Sequence, residues 1–187
     1  MTWEFGIEKA LDYTILEYSF AFWQWGTKAN NIPLKTTNPQ EIYNHLINVV
    51  GYGFFESKAV DDLQPYFWAA LTEQGIYGYE TAPFKKYLGT DKVYKFDWAF
   101  PDGISKNYNL KPMQEIKSFL DTDAQKMIFI YGEYDAWSAT AVELKDGAQN
   151  RDVYKFVKSK GDHRTRIKSF TKAEQKKIYD IIDSWLK

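Results

Sequence analysis

Two short stretches of this 187-residue sequence hold side chains suited to proton-transfer chemistry. In the first, the apolar run Met127-Ile128-Phe129-Ile130-Tyr131 passes into Gly132, and Asp135 follows three residues later. In the second, the β-rich run Val153-Tyr154-Lys155-Phe156-Val157 gives way to Lys158-Ser159-Lys160-Gly161-Asp162, and His163 comes next. Asp135 and His163 are 28 residues apart, room for one helix and one strand. Parallel strands joined by such a crossover present both following loops at one sheet edge, where ligands collect in open α/β sheets. A carboxylate there can fix an imidazole's tautomer and stabilise its cation while the other ring nitrogen takes a proton. Plainer readings exist for each residue. Asp135 can cap a helix beginning near Ala136, and His163 can be a loop residue among Lys158, Lys160, Arg164 and Arg166. Asp162 reads as a loop-stabilising residue, His45 as a helix-surface or packing residue, and the charge cluster from Lys158 to Lys168 as a solvated loop.

Composition removes several other chemistries. With no Cys there is no thiolate nucleophile, no disulfide framework and no thiolate zinc site, and two histidines are too few for a three-histidine zinc site. No metal or organic cofactor is implied. Lys and Arg total 24 against 25 Asp and Glu, a formal charge of -1 that argues against a nucleic-acid partner or an anionic membrane surface. No apolar run approaches the ~20 residues of a membrane span, and Glu4, Glu8 and Asp12 interrupt any secretory signal at the N-terminus. The 7 Trp, 14 Tyr and 13 Phe residues make 18% of the chain aromatic, enough to fill a sizeable core and incompatible with disorder.

The elements that must position the two stretches divide the chain into unlike halves. The first is aromatic and helix-like. Ile7, Leu11, Ile15 and Phe22, with Tyr18 between them, predict one long helix from Gly6 to Trp25, with Gly26 as its stop. Asn38-Pro39-Gln40-Glu41 is a helix-start signal, opening a helix through Ile42, Leu46, Val49 and Val50 that ends near Gly51. Val60 to Gln74 predicts a third helix, broken by Gly75. The second half alternates helix and strand: a helix over Lys111 to Leu120, a strand over 127–131, a short helix over Ser138 to Lys145 and a strand over 153–157. Thr171 and Glu174 form a capping box before a terminal helix whose Ile178, Ile181, Ile182 and Trp185 share one face. This is the end of a parallel α/β sheet, yet two parallel strands are too few for one. Lys92 to Trp98 offers a third strand; otherwise the chain is the C-terminal part of a larger protein, the simpler explanation.

The order of an acid loop, then a histidine loop before the last helix, resembles the C-terminal end of the α/β-hydrolase fold, whose triad runs Ser, acid, His. Gly132-Glu133-Tyr134-Asp135-Ala136-Trp137 is similar to the acid loop of the bacterial serine tripeptidyl aminopeptidases, with Ala136 where that family has Pro. Ala69 to Tyr79, containing Glu73-Gln74-Gly75-Ile76-Tyr77, resembles part of their helical cap. The resemblance implies a helical, aromatic-rich cap over 1–105 and the C-terminal segment of an α/β-hydrolase over 106–187. It makes Asp135 and His163 catalytic, with a peptide as substrate, and places the protein in a secreted or periplasmic setting. Glu73, flanked by Tyr77 and Tyr79, becomes a candidate for binding a substrate's α-ammonium group, against the plainer reading of a solvated helix-end carboxylate.

The family's nucleophile stands in a Gly-x-Ser-x-Gly elbow, and the sequence contains none. The nearest serine, Ser105 in Gly103-Ile104-Ser105-Lys106-Asn107, lacks the apolar strand before it and the second Gly. The elbow is therefore expected in a missing N-terminal part of the same hydrolase domain, leaving these residues inactive alone. An esterase of the same fold, or a non-enzymatic interaction domain, are the competing expectations.

Overall fold

The structure, a computed structural model, describes residues 2–3, 6–51, 53–89 and 94–187. They sort into two units: residues up to Ser19 with Ala29–Ile116, and Phe20–Lys28 with Lys117–Lys187.

The first unit is helical. It holds most of α1 (Ile7–Gln24), α2 (Pro39–Val50), α3 (Ser57–Asp62) and α4 (Gln64–Ala69), which continues as a π-helical turn over Ala70–Gln74. Asn38 opens α2 as its residue type predicts, its side chain accepting from the Gln40 N–H at 2.8 Å ahead of Pro39, and Gly51 closes it at φ 83°. The helix expected across 60–74 breaks at Leu63. Pro65, two residues on, has no N–H to donate and suits the first turn of a helix, so a new helix starts at Gln64.

Of the apolar residues whose spacing predicts α1, Phe22 is buried, but the rest of the buried face runs elsewhere. Ile7, Leu11 and Ile15 are exposed, whereas Ala10, Tyr13 and Leu16 are buried together with Asp12 and Glu17. The reason is the aromatic core, which lies outside the helix's own periodicity. Tyr13 is wholly buried, with the rings of Phe55, Tyr79, Tyr94, Phe96 and Trp98 at 5.3 to 6.0 Å. Its hydroxyl donates to the Lys95 carbonyl and accepts from Trp98 Nε1. The two carboxylates are buried because tyrosines supply donors: Tyr94 and the Gly89 N–H to Asp12, Tyr77 and Tyr79 to Glu17.

Burial raises the Glu17 carboxyl above its ordinary value of 4.5, and the two tyrosine hydroxyls pull it back without cancelling the shift. The folded state therefore holds this proton more tightly than the unfolded chain. The stabilisation is complete below the unfolded value and is lost as pH rises through the folded one. Glu17→Gln keeps an oxygen for the tyrosines and carries no charge. In urea titrations the variant is expected to gain on the wild type over the pH range above the ordinary value of 4.5. A difference that stays constant or reverses over that range would contradict this account.

The second unit contains a parallel pair, β1 (Met127–Gly132) and β2 (Val153–Lys158), in register from Met127 opposite Val153 to Gly132 opposite Lys158. α5 (Lys111–Thr122) leads into it, and α6 (Lys172–Trp185) closes it behind the Thr171–Glu174 capping box, burying Ile178 completely. Wholly buried Val153 packs with Ala124, Ala148, Met127 and Phe129. Arg151 anchors the crossover, donating from Nη1 to the Ala124 carbonyl at 2.6 Å and from Nη2 to the Asp121 carbonyl at 2.9 Å. The connection expected as a helix over 138–145 is a 3₁₀ helix over Ala136–Thr140. Residues 94–98, part of the third strand expected, form no strand, and Asp97–Ala99 is a 3₁₀ turn; residues 92 and 93 of that expectation lie outside the described residues. The architecture is thus helix-rich with a two-stranded parallel sheet, an α/β arrangement among the described residues.

Candidate functional site

Both loops that follow the strands emerge at the carboxyl edge of the sheet, because β1 and β2 run parallel in register. They are bonded to each other there. The Tyr134 N–H donates to the Gly161 carbonyl at 2.8 Å. Glu133 receives the Ser159 hydroxyl and the Lys160 N–H on Oε2, contacts that hold its carboxyl below the ordinary value.

Within this frame His163 Nδ1 lies 2.8 Å from Asp135 Oδ2. The other carboxylate oxygen, Oδ1, accepts from the Trp137 N–H at 3.1 Å. Asp135 therefore caps the 3₁₀ turn and holds the imidazole at once, so its two sequence readings are compatible. The cap is what orients the carboxylate: its plane is fixed by a backbone donor on one side and a ring nitrogen on the other. Ser138 secures the same turn, its hydroxyl donating to the Gly132 carbonyl at 2.8 Å. Asp135's side chain is only 11% exposed, whereas His163's is 42% exposed, and Nε2 has no hydrogen bond among the described residues. A neutral imidazole with Nδ1–H on the carboxylate presents Nε2 as an open proton acceptor.

A cleft of about 260 Å³ opens at this edge, lined by Ile130, Tyr131, Gly132, Trp137, Asp162, Thr165 and Arg166 together with the pair. Its apolar wall comes from β1 and Trp137, its polar wall from the histidine loop. Asp162 stabilises that loop as its sequence position suggests, accepting the Arg164 N–H on Oδ1 and the Thr165 hydroxyl on its carbonyl.

The other candidates fall in the first unit. Glu73 is half-buried on the π-helical turn and has no hydrogen bond among the described residues. The Tyr77 and Tyr79 hydroxyls both donate to Glu17 Oε2, at 2.8 and 2.6 Å. His45 shares a hydrogen bond of 2.9 Å with the Tyr18 hydroxyl, a packing role. Ser105 lies on an irregular exposed segment with its hydroxyl accepting from Asn107, and no strand-to-helix turn surrounds it. Among the described residues no group of three His, Cys, Asp or Glu side chains could hold a metal ion, and no helix is long and apolar enough to cross a membrane.

Sequence reasoning missed the close approach of Gly132 to the histidine loop. A Cβ on Gly132 would lie 2.5 Å from the Asp162 carbonyl oxygen and 2.6 Å from that of Gly161. The glycine after the apolar strand was a visible signal, but its partner was not.

The family model described as PS-10 peptidase S37 matches residues 4–185. Over 180 residues the chain is 22% identical to the prolyl tri/tetrapeptidyl aminopeptidase of Streptomyces mobaraensis, covering 95% of this chain and 38% of that relative. The chain thus spans well under half of the relative's length. No solved structure matches it.

Proposed function

The chain belongs to the PS-10 peptidase S37 family, and on that footing we propose that it supplies the acid and base of a serine exopeptidase releasing short peptides from free N-termini. The observation that carries this reading is the 2.8 Å hydrogen bond between His163 Nδ1 and Asp135 Oδ2. In the complete enzyme, Nε2 accepts the proton of a serine hydroxyl as its oxygen attacks the scissile carbonyl. It then returns that proton to the leaving amine. Asp135 keeps the Nδ1–H tautomer and stabilises the imidazolium without taking the proton itself.

On this reading 106–187 is the C-terminal segment of an α/β-hydrolase sheet, and 1–105 is its cap. The nucleophile and the oxyanion hole belong to an N-terminal part of the same domain, so these residues do not turn over substrate alone. Three observations support it: no Gly-x-Ser-x-Gly occurs in the sequence, each strand has one hydrogen-bonded neighbour among the described residues, and Val157 in β2 stands 49% exposed. Strands of a parallel sheet are ordinarily paired on both edges and covered on both faces. Half-buried Glu73 is the proposed acceptor for the substrate's α-ammonium group, with Tyr77 from the same stretch shaping the approach. The name of the Streptomyces relative supports release of three- or four-residue units. The secreted or periplasmic setting rests on the resemblance alone.

The test is an assay of the complete gene product on tripeptide amides with free and acetylated N-termini, beside simple esters. Turnover of the free peptides is expected, and Glu73→Gln should raise their KM about tenfold with kcat little changed, the scale of one charge-assisted hydrogen bond. Preference for esters would move the protein to the esterase reading. A folded protein inert on every substrate would overturn the enzymatic assignment.

A further inference from the structure

The end of α1 reaches the histidine loop, and nothing in the acid–base pair accounts for what it does there. The segment Phe20–Lys28 belongs to the second unit although it lies over a hundred residues earlier in the chain. Gln24 is the last residue of α1, so its carbonyl lacks an intrahelical partner. That carbonyl accepts the backbone N–H of His163 at 2.9 Å. The next residue, Trp25, meets the His163 ring at 5.3 Å between centroids with the planes 82° apart. Arg164 holds Trp25 in turn, its guanidinium carbon 5.6 Å from the centre of the indole ring. Gly26 then turns the chain away at φ +68°, where a Cβ would come within 2.3 Å of Asp162 Oδ2.

We infer that this corner, Trp25 and Gly26, positions the catalytic imidazole. Asp135 fixes one ring nitrogen but leaves the ring free to swing about that hydrogen bond. A perpendicular indole removes this freedom, because an imidazole rotated about its Cβ–Cγ bond would lose the edge-to-face contact or collide with the indole. The Gln24 carbonyl fixes the backbone from which the ring hangs. Gly26 lets the corner sit against Asp162, and Asp162 in turn shapes the loop through the Arg164 N–H and the Thr165 hydroxyl. Trp25 and Gly26 touch neither substrate nor the transferred proton; they act through His163. The consequence for turnover rests on the serine peptidase reading, whereas the restraint on the ring does not.

Two measurements separate these claims. In the complete gene product, the ¹⁵N-imidazole signal that disappears in His163→Gln is that of His163. In the wild type, exchange of the His163 Nδ1 proton with water is expected to be slow. Trp25→Leu and Gly26→Ala should each speed it about tenfold, the population factor carried by a ring pair of this kind, while Trp25→Phe recovers part of the protection. In the complete gene product, Trp25→Leu should lower kcat by a similar factor with KM unchanged. Unaltered Nδ1 exchange in both Trp25→Leu and Gly26→Ala overturns the inference, whatever the activity. If Trp25→Leu fails to fold, the comparison of Trp25→Phe with Gly26→Ala decides by the same exchange rates. Should His163→Ala keep its full rate while exchange still depends on Trp25, the enzymatic reading has failed and the positioning stands.

Discussion

His163→Ala in the complete gene product is expected to lower kcat/KM on the order of 10⁶-fold, and Asp135→Asn about 10⁴-fold. The gap follows from their positions. On the proposed reading His163 Nε2 moves the proton, so its loss removes the base altogether. Asp135→Asn preserves the cap, because an amide oxygen still accepts the Trp137 N–H that Oδ1 accepts now. What changes is the partner of the ring. An amide N–H in place of Oδ2 donates to Nδ1, which forces the proton onto Nε2 and leaves the base with nothing to accept with. Neither change should unfold the protein. The His163 side chain is 42% exposed, and the backbone bond to Gln24 survives its removal. Stability by thermal unfolding is therefore expected within about 1 kcal/mol of wild type. The double variant supplies the sharper test. If Asp135 acts only through His163, adding Asp135→Asn to His163→Ala costs no further activity. A second large loss would mean that Asp135 has a role of its own, and a rate near wild type for His163→Ala would remove the acid–base assignment.

What could be read from the sequence was whatever is decided by near neighbours in the chain. The Thr171–Glu174 box, the Asn38–Pro39 start and the apolar strand before Gly132 are local devices, and each stands where its residue types put it. The pairing of Asp135 with His163 was legible for a different reason: a crossover between parallel strands leaves little choice of edge. Apart from Phe22, the buried face of α1 was not legible, since it depends on Tyr13 finding five rings distant in sequence. Asp12 and Glu17 look solvated by type and are buried only because remote tyrosines donate to them. The break at Leu63 was readable in Pro65, where an apolar periodicity running through the proline suggests one helix instead of two. Trp25 carried no local mark at all. It became informative only through the ring it faces, a contact 138 residues away in the chain.

Gly132→Ala is the substitution expected to damage the frame of the site most, by about 3 kcal/mol or more. The new methyl would meet backbone on all sides: the Asp162 carbonyl oxygen at 2.5 Å, the Gly161 carbonyl oxygen at 2.6 Å and the Gly161 carbonyl carbon at 2.7 Å. Real Cβ atoms do not sit so close, and backbone cannot rotate aside as a side chain can. Relief requires the histidine loop to move off the end of β1, which stretches the Tyr134 bond to Gly161 and draws His163 from Asp135. Gly161→Ala is the matched control. Its methyl would meet side-chain instead of backbone atoms: Thr165 Oγ1 at 2.5 Å, which would have to leave the Asp162 carbonyl, and Lys158 Cβ and Cγ at 3.0 Å. A loss of about 1 kcal/mol is expected there. Urea unfolding of the two variants in parallel checks the order, and equal losses would mean that the loop yields as easily as a side chain. The Nδ1 proton of His163 supplies a second reading of the same event. If Gly132→Ala is folded yet exchanges that proton at the wild-type rate, the glycine does not set the spacing between the acid and histidine loops.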